Sequence, residues 1–233
     1  MTQRILALHT STHDPAESSS AALTRAAVER LRELHPRAEV RFVDAAKLHI
    51  VQNLSCYSNG KTHCGDPKSG PYRCWANVEA KNNPRKYGRD DMPVIYDGLA
   101  WADTVLFSTS TRWGTHSAVA QNVIERMNTL ENRGSSLGEP YPLRGKRLGV
   151  IASGTHWKTW DTAKNLIETL RWWGFATTND YGCVLAWQRS DDMFWEHPDS
   201  DTPAARRWAL SARGRSAVDQ FVQSVEAARY VWV

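Results

Sequence analysis

Short apolar runs alternating with helical-period stretches constrain this chain more than any other feature. Runs at residues 5–8, 40–43, 104–107, 147–152 and 175–178 read as strands. Between the first two, Leu23, Ala27, Leu31 and Leu34 form one stripe of a helix over 20–34, with Ser18 or Ser19 as cap and Pro36 as stop. Residues 91–102 form a second helix, and Val119, Val123, Met127 and Leu130 mark a third. Ala163, Leu166, Ile167 and Leu170 mark a fourth, which Gly174 ends. A last helix over 202–228 has Asp201 or Thr202 as cap, Pro203 in its first turn, and Val218, Phe221, Val222 and Val225 facing inward. Strands alternating with helices of this length predict an α/β fold: a parallel sheet with helices on both faces.

Two stretches break the pattern. Residues 44–90 are rich in Asn, Gly, Pro, Lys and Cys and lack clear periodicity. So long a stretch without regular structure is rare in a compact domain, so it reads as a functional excursion after strand two. Residues 180–201 form a second irregular loop. At 233 residues, the whole chain, 1–233, is expected to be one domain carrying these insertions.

Composition narrows the classes. Hydrophobic residues make up 41% of the chain, enough for a real core, so intrinsic disorder is not expected. Nothing approaches the roughly 18 consecutive apolar residues of a membrane span. The apolar run after Arg4 is too short for a secretory signal, so a cytoplasmic location is expected. The net charge of +4 comes from scattered Lys and Arg with no basic block, so neither nucleic acid nor a membrane is an expected partner.

The richest polar loops follow strands one, three and four, on the carboxyl edge where such sheets bind ligands. The first, Thr10, Ser11, Thr12 and His13 followed by Ser18, Ser19 and Ser20, opens a helix. A helix start offers free amides and partial positive charge, which suit a phosphate. It carries neither a Walker lysine motif nor G-x-G-x-x-G, which argues against a P-loop nucleotidase and a dinucleotide fingerprint. Plain capping by serines is the alternative. The second loop, Thr109, Ser110, Thr111, Arg112, Trp113, Gly114 and on to Ser117, joins hydroxyls to a flat indole and a glycine that permits close approach. The third, Ser153, Gly154, Thr155, His156 and Trp157, repeats that pattern. A phosphate cradle beside two aromatic-edged loops suits a phosphorylated planar heterocycle, and flavin mononucleotide (FMN) is the natural candidate. The eleven tryptophans, among them Trp75, Trp113, Trp157, Trp160, Trp187 and Trp195, serve either as packing or as such a wall.

These residues resemble the flavodoxin-like NAD(P)H-dependent FMN reductases, which include quinone reductases and iron–sulfur flavoproteins. The family's phosphate loop reads roughly G-S-P-R-x-x-x-x-[NS]-[ST], and Thr10-Ser11-Thr12-His13 with Ser18-Ser19-Ser20 stand in those places. Its D-D-M, A-D and T-P-x-Y-W-G-x-x-S stretches appear as Asp90-Asp91-Met92, Ala102-Asp103 and Thr109-Ser110-Thr111-Arg112-Trp113-Gly114-Thr115-His116-Ser117. The resemblance covers about residues 3–180. It implies a doubly wound five-stranded sheet of order 2-1-3-4-5, bound FMN and NAD(P)H as electron donor. Hydride would pass through flavin N5 to a small organic acceptor such as a quinone, nitro or azo compound or a biosynthetic intermediate. It also implies a homodimer or homotetramer, flavin contacts by amides around 111–115, and no side chain acting as acid or base. The excursion and the second irregular stretch, with Trp187, Phe194 and Trp195, would shape the acceptor pocket. Thr12 and Ser110 replace prolines, Arg112 replaces an aromatic, and His13 replaces a phosphate-binding arginine. A histidine carries only part of a positive charge at neutral pH.

The cysteines depart further. The iron–sulfur members carry C-x-x-C-x-x-C plus a fourth Cys, whereas this frame reads Asn53, Cys56, Asn59, Cys64. Asparagine cannot replace thiolate at iron, so no cluster is expected. A zinc site from Cys56, His63, Cys64 and Cys74 lacks a C-x-x-C, and Cys56, Cys64, Cys74 and Cys183 read as reduced, packed thiols. Two rival functions stay open: a flavodoxin-type electron carrier, and a binding module that keeps the fold without FMN.

Overall fold

The computed structural model describes residues 2–56, 64–189 and 201–230. Its strands are β1 (Arg4–His9), β2 (Glu39–Asp44), β3 (Thr104–Arg112), β4 (Thr115–His116), β5 (Arg147–Gly154) and β6 (Val184–Gln188). Five pair in parallel in the order β2-β1-β3-β5-β6, while β4 folds back antiparallel on the end of β3. With that short strand set aside, the order is the expected 2-1-3-4-5. Ile5, Leu6, Leu8, Val105, Leu106 and Phe107 of the central strands are fully buried, because both sheet faces are covered.

The helices are α1 (Ser19–Leu34), α2 (Trp75–Asn82), α3 (Pro84–Tyr87), α4 (Met92–Trp101), α5 (Ala118–Ser135), α6 (Thr159–Arg171), α7 (Asp201–Leu210) and α8 (Ala212–Ala227). Strand order reverses at β1, so right-handed crossovers send α1 to one face and α4, α5 and α6 to the other. Helices α7 and α8 pack beside α1. The reversal opens a crevice between the carboxyl ends of β1 and β3, the usual ligand position in such sheets.

Four expectations need correction. The fifth strand is not at 175–178, where Phe175 and Ala176 are buried but the backbone forms only isolated bridges, Arg147 to Ala176 and Thr177 to Arg229. The chain turns through Asn179 to Gly182, where Asp180 accepts from the Gly182 amide at 3.0 Å, and enters the sheet at Val184. The loop 180–201 therefore contains a strand, and Trp187 lies on it. The second polar loop is mostly strand: β3 runs to Arg112, and a two-residue turn at Trp113 and Gly114 leads into β4. The last helix is two, broken at Ser211, whose hydroxyl donates to Trp208 O at 2.6 Å and accepts from the Gly214 amide to cap α8.

The excursion is also partly ordered. Asp44 caps a 3-10 turn at Ala45–Lys47, and α2 and α3 fall within 75–87. Helices of eight and four residues show little sequence periodicity and rely on tertiary contacts. Their anchor is Arg126 on α5, which donates to Val51 O, to Cys74 Sγ at 3.4 Å and to Asp90 Oδ2 at 2.6 Å. Cys56, Cys64 and Cys74 are buried around it. Burial, then the neighbouring Cys64 and Cys74 thiols, push the Cys56 thiol up to about 11. No group of three or more metal-binding side chains is arranged to hold an ion among the described residues. His63, Phe194 and Trp195 lie outside them. Nor is any described helix long and apolar enough to cross a membrane.

Candidate active site

The cleft is built on three strand ends locked in register. His9 pairs with Ser108, and Ser110 with Ser153. Thr10 donates through its amide and its hydroxyl to Ser108 O, at 2.8 and 2.9 Å. Ser117 caps α5, accepting from the Ala120 amide at 3.1 Å, and donates to Thr10 O. Thr109 Oγ1 accepts from the Ser117 amide at 3.2 Å. Thr109 and Ser117 therefore brace the site from behind and do not line it. Ser20 also turns inward, with its Oγ 3.0 Å from Ser18 Oγ.

The other expected site residues converge. Ser11, His13, Ser18, Ser19, Ser110, Thr111, Arg112, Ser153, Gly154 and Thr155 line one cleft of about 530 Å³, together with Trp187 and Glu17. Thr111, Arg112, Gly154 and Thr155 also line an adjoining cleft of about 410 Å³, with Trp113, Gly114, His156 and Trp157. The two share a wall at the tip of β3.

The first cleft is rimmed by the turn before α1. Ser18 takes an extended backbone and accepts from the Ala21 amide, which leaves the Ser19 and Ser20 amides as the open donors of the helix start. Asp14 shapes this turn by accepting from the Ala16 amide at 2.8 Å and pairing with Lys47 at 2.8 Å. Underneath, His9 Nε2 lies 3.4 Å from His13 O. Burial holds the His9 imidazole below its ordinary pKa, so its neutral ring supports the turn by donating Nε2–H.

The second cleft is walled by the hairpin. Trp113 and Gly114 both have positive φ, +50° and +80°, as a tight two-residue turn requires. Gly114 abuts the Lys158 side chain and Trp157, so hairpin and third loop touch. Lys158 Nζ sits 5.0 Å from the Trp157 ring centroid, a cation–π contact. Trp113 itself is 94% exposed.

Among the described residues, three buried hydroxyls have no hydrogen-bond partner: Ser110 Oγ, Thr111 Oγ1 and Thr159 Oγ1. Ser110 is only 8% exposed and, like Thr111, lines the cleft. An unmet buried hydroxyl costs about 1–3 kcal/mol, which a polar ligand in the cleft would offset. A Cβ on Gly154 would collide with Thr159 Oγ1 and approach Thr111 Cβ to 3.2 Å, so the bare backbone lets the end of β5 pack closely against β3 and α6 at this wall. Amide donors, cations, unmet hydroxyls and aromatic edges together fit a phosphorylated planar ring such as FMN.

Four lining residues were not marked by the sequence: Ala16 and Glu17 in the turn before α1, and Pro203 and Arg206 on α7, which reach the first cleft from about 190 positions away with no local motif.

Comparison with known proteins agrees with the architecture. Several solved structures share the fold. One is RosB with the bound intermediate 8-demethyl-8-formylriboflavin-5′-phosphate, at TM-score 0.66 and 14% identity over 97% of this chain and 80% of that one. Another is an azoreductase from Bacillus anthracis str. Sterne, at TM-score 0.55 and 12% identity over 96% of this chain and all of that one. A third is the apo form of the NADH:FMN oxidoreductase EMOB, at TM-score 0.53 and 15% identity over 99% and 95%. No curated protein sequence matches the chain. The sequence profile of the NADPH-dependent FMN reductases matches residues 3–187. Because that match takes in all three cleft loops from β1 to β6, the chain belongs to the NADPH-dependent FMN reductase family, flavin-dependent oxidoreductases that use FMN and NAD(P)H.

Proposed function

We propose that this chain binds FMN across the two clefts and reduces a small organic acceptor with electrons from NAD(P)H. The chemistry FMN supplies when bound is acceptance of a hydride at N5 and delivery of two electrons onward. In this reading Ser11, His13, Ser18 and Ser19 hold the phosphate at the start of α1. Ser110, Thr111, Ser153 and Thr155 receive the ribityl chain and the near edge of the ring. Trp113, Gly114, His156 and Trp157 flank the ring, and Arg112 lies between the two parts. Thr109, Ser117 and Ser20 keep those groups in place.

The observation that carries this reading is the pair of unmet buried hydroxyls on Ser110 and Thr111, in a cleft lined from all three loops. The RosB structure, whose fold this chain shares, holds a riboflavin-5′-phosphate derivative, which supports the assignment. Quinones, nitro compounds, azo compounds and biosynthetic intermediates are the acceptor classes. The tryptophan-edged second cleft supports flat aromatic members of these classes. A cytoplasmic location and a homodimer or homotetramer are part of the proposal; the exposed Trp113 beside the second cleft supports the oligomeric part.

The test is anaerobic mixing of the FMN-loaded protein with NADPH or NADH, followed by each acceptor class. Bleaching of the flavin band by a pyridine nucleotide alone, and its recovery on adding acceptor, is expected. Flavin that binds but stays oxidised with both donors would point instead to an electron carrier.

A further inference from the structure

We propose that Arg206, on helix α7, supplies the permanent positive charge for the phosphate that the first loop itself lacks. The inference rests on the cleft's holding FMN. The first loop, residues 10–20, contains no Lys or Arg, and His13 is its one basic residue. In the folded chain a guanidinium arrives from elsewhere: Arg206 lines the same cleft as Ser11, His13, Ser18 and Ser19.

The position of Arg206 follows from packing. Ala205 and Ala209 are buried on α7, which lies against α1, and their small side chains allow close approach. With that face fixed, Pro203 and Arg206, three residues apart, share the side toward the cleft. Arg206 Nη2 donates to Ala16 O at 2.7 Å, inside the turn that precedes α1. That bond uses one of five guanidinium donors, and no carboxylate pairs with Arg206 among the described residues. Among the described residues, the remaining donors and the full charge are left for an anion on the turn.

The neighbouring cations are differently engaged. Arg25 donates to Pro15 O and does not line the cleft. Arg112 leans on Thr12 Oγ1 at 3.4 Å and serves both clefts. Glu17, exposed, also lines the first cleft. A guanidinium suits a dianionic monoester because its fork donates to two oxygens at once.

The test compares FMN with riboflavin, which has no phosphate, by fluorescence titration of wild type, Arg206→Gln, Arg206→Ala and Arg206→Lys. Glutamine keeps a polar amide on a similar stem but carries no charge. The expected result is that Gln and Ala weaken FMN on the order of 10- to 100-fold and leave riboflavin affinity within about twofold, while Lys, which keeps the charge but not the fork, recovers part of the FMN affinity. Equal losses for both ligands would make Arg206 a mere brace for the turn, and unchanged FMN affinity in Arg206→Gln would remove it from the site. Either outcome overturns the inference while leaving the FMN reading intact. Wild-type protein that binds neither flavin overturns both.

Discussion

Asp90 and Arg126 form an ion pair at 2.6 Å with both side chains only 1% exposed, joining the end of the excursion to helix α5. Asp90 also accepts from the amides of Val51 and Met92, at 3.2 and 3.3 Å. Burial works against its ionisation, but the Arg126 guanidinium and these amides outweigh it and hold the carboxyl below the usual aspartate range. Removing one partner strands the other charge inside the protein. Asp90→Ala is therefore expected to destabilise the fold by about 3–5 kcal/mol, measured by chemical denaturation. Asp90→Ala with Arg126→Met is expected to recover part of that loss. A single variant as stable as wild type would show that the pair does not anchor the excursion.

Gly154 and Thr159 make a second coupled pair, this time at the proposed flavin wall. Gly154→Ala brings a methyl group onto Thr159 Oγ1, and the wall must shift. FMN affinity is expected to fall at least about tenfold. Adding Thr159→Ala removes the obstacle and is expected to restore a measurable part of the affinity, as contacting residues couple. Strict additivity in titrations of the four proteins would contradict the contact.

Trp113 is held in the left-handed region, a strain of about 1–3 kcal/mol in a bulky residue, yet its indole faces solvent. Burial does not account for this side chain. Trp113→Asn suits the turn and is expected to leave stability unchanged or raise it by up to about 1 kcal/mol. In turnover assays the same variant is expected to raise KM for aromatic acceptors several-fold. A clear loss of melting temperature with unaltered KM would assign Trp113 to packing instead.

At the opposite edge of the sheet, Glu226 accepts from Gln3 Nε2 at 3.1 Å and His35 Nε2 at 2.9 Å, and pairs with Arg147 at 2.6 Å. Burial opposes its charge, but these partners prevail and hold its carboxyl below the ordinary glutamate range. A depressed folded-state pKa stabilises the protein above the unfolded value, near 4.3, and that stability is lost as pH falls toward the folded value. Glu226→Gln is expected to cost about 1–2 kcal/mol at neutral pH. The gap should narrow as pH falls below the unfolded value of about 4.3, read from denaturation midpoints. A gap that persists at low pH would mean that the charge contributes nothing.

The parallel sheet was legible because β1, β3 and β5 are buried on both faces and read as unbroken apolar runs. The loops at their ends were legible because hydroxyls and Gly-containing steps cluster there. Phe175 misled because a buried aromatic beside a small apolar residue looks like a strand start, although hydrogen-bonding geometry places the ladder at Val184. Residues 75–87 were hidden because α2 and α3 are short, and α2 is tied down through Cys74 to Arg126 and through Asn77 to Asp90, contacts that leave no periodicity. Thr109 and Ser117 sit within the motif that marks the site, yet they brace the backbone; residue type alone cannot separate a hydroxyl facing a ligand from one facing a carbonyl. Arg206 was invisible for the converse reason, since only the docking of α7 on α1 brings it to the cleft.

The most direct measurement is capture of FMN by the purified chain, followed by titration calorimetry and by mass analysis of any released chromophore. One FMN per chain, with Kd at or below about 1 µM and weaker binding of riboflavin, is the expected result. A colourless protein that takes up no FMN at concentrations on the order of 100 µM would contradict the assignment of the three-loop cleft.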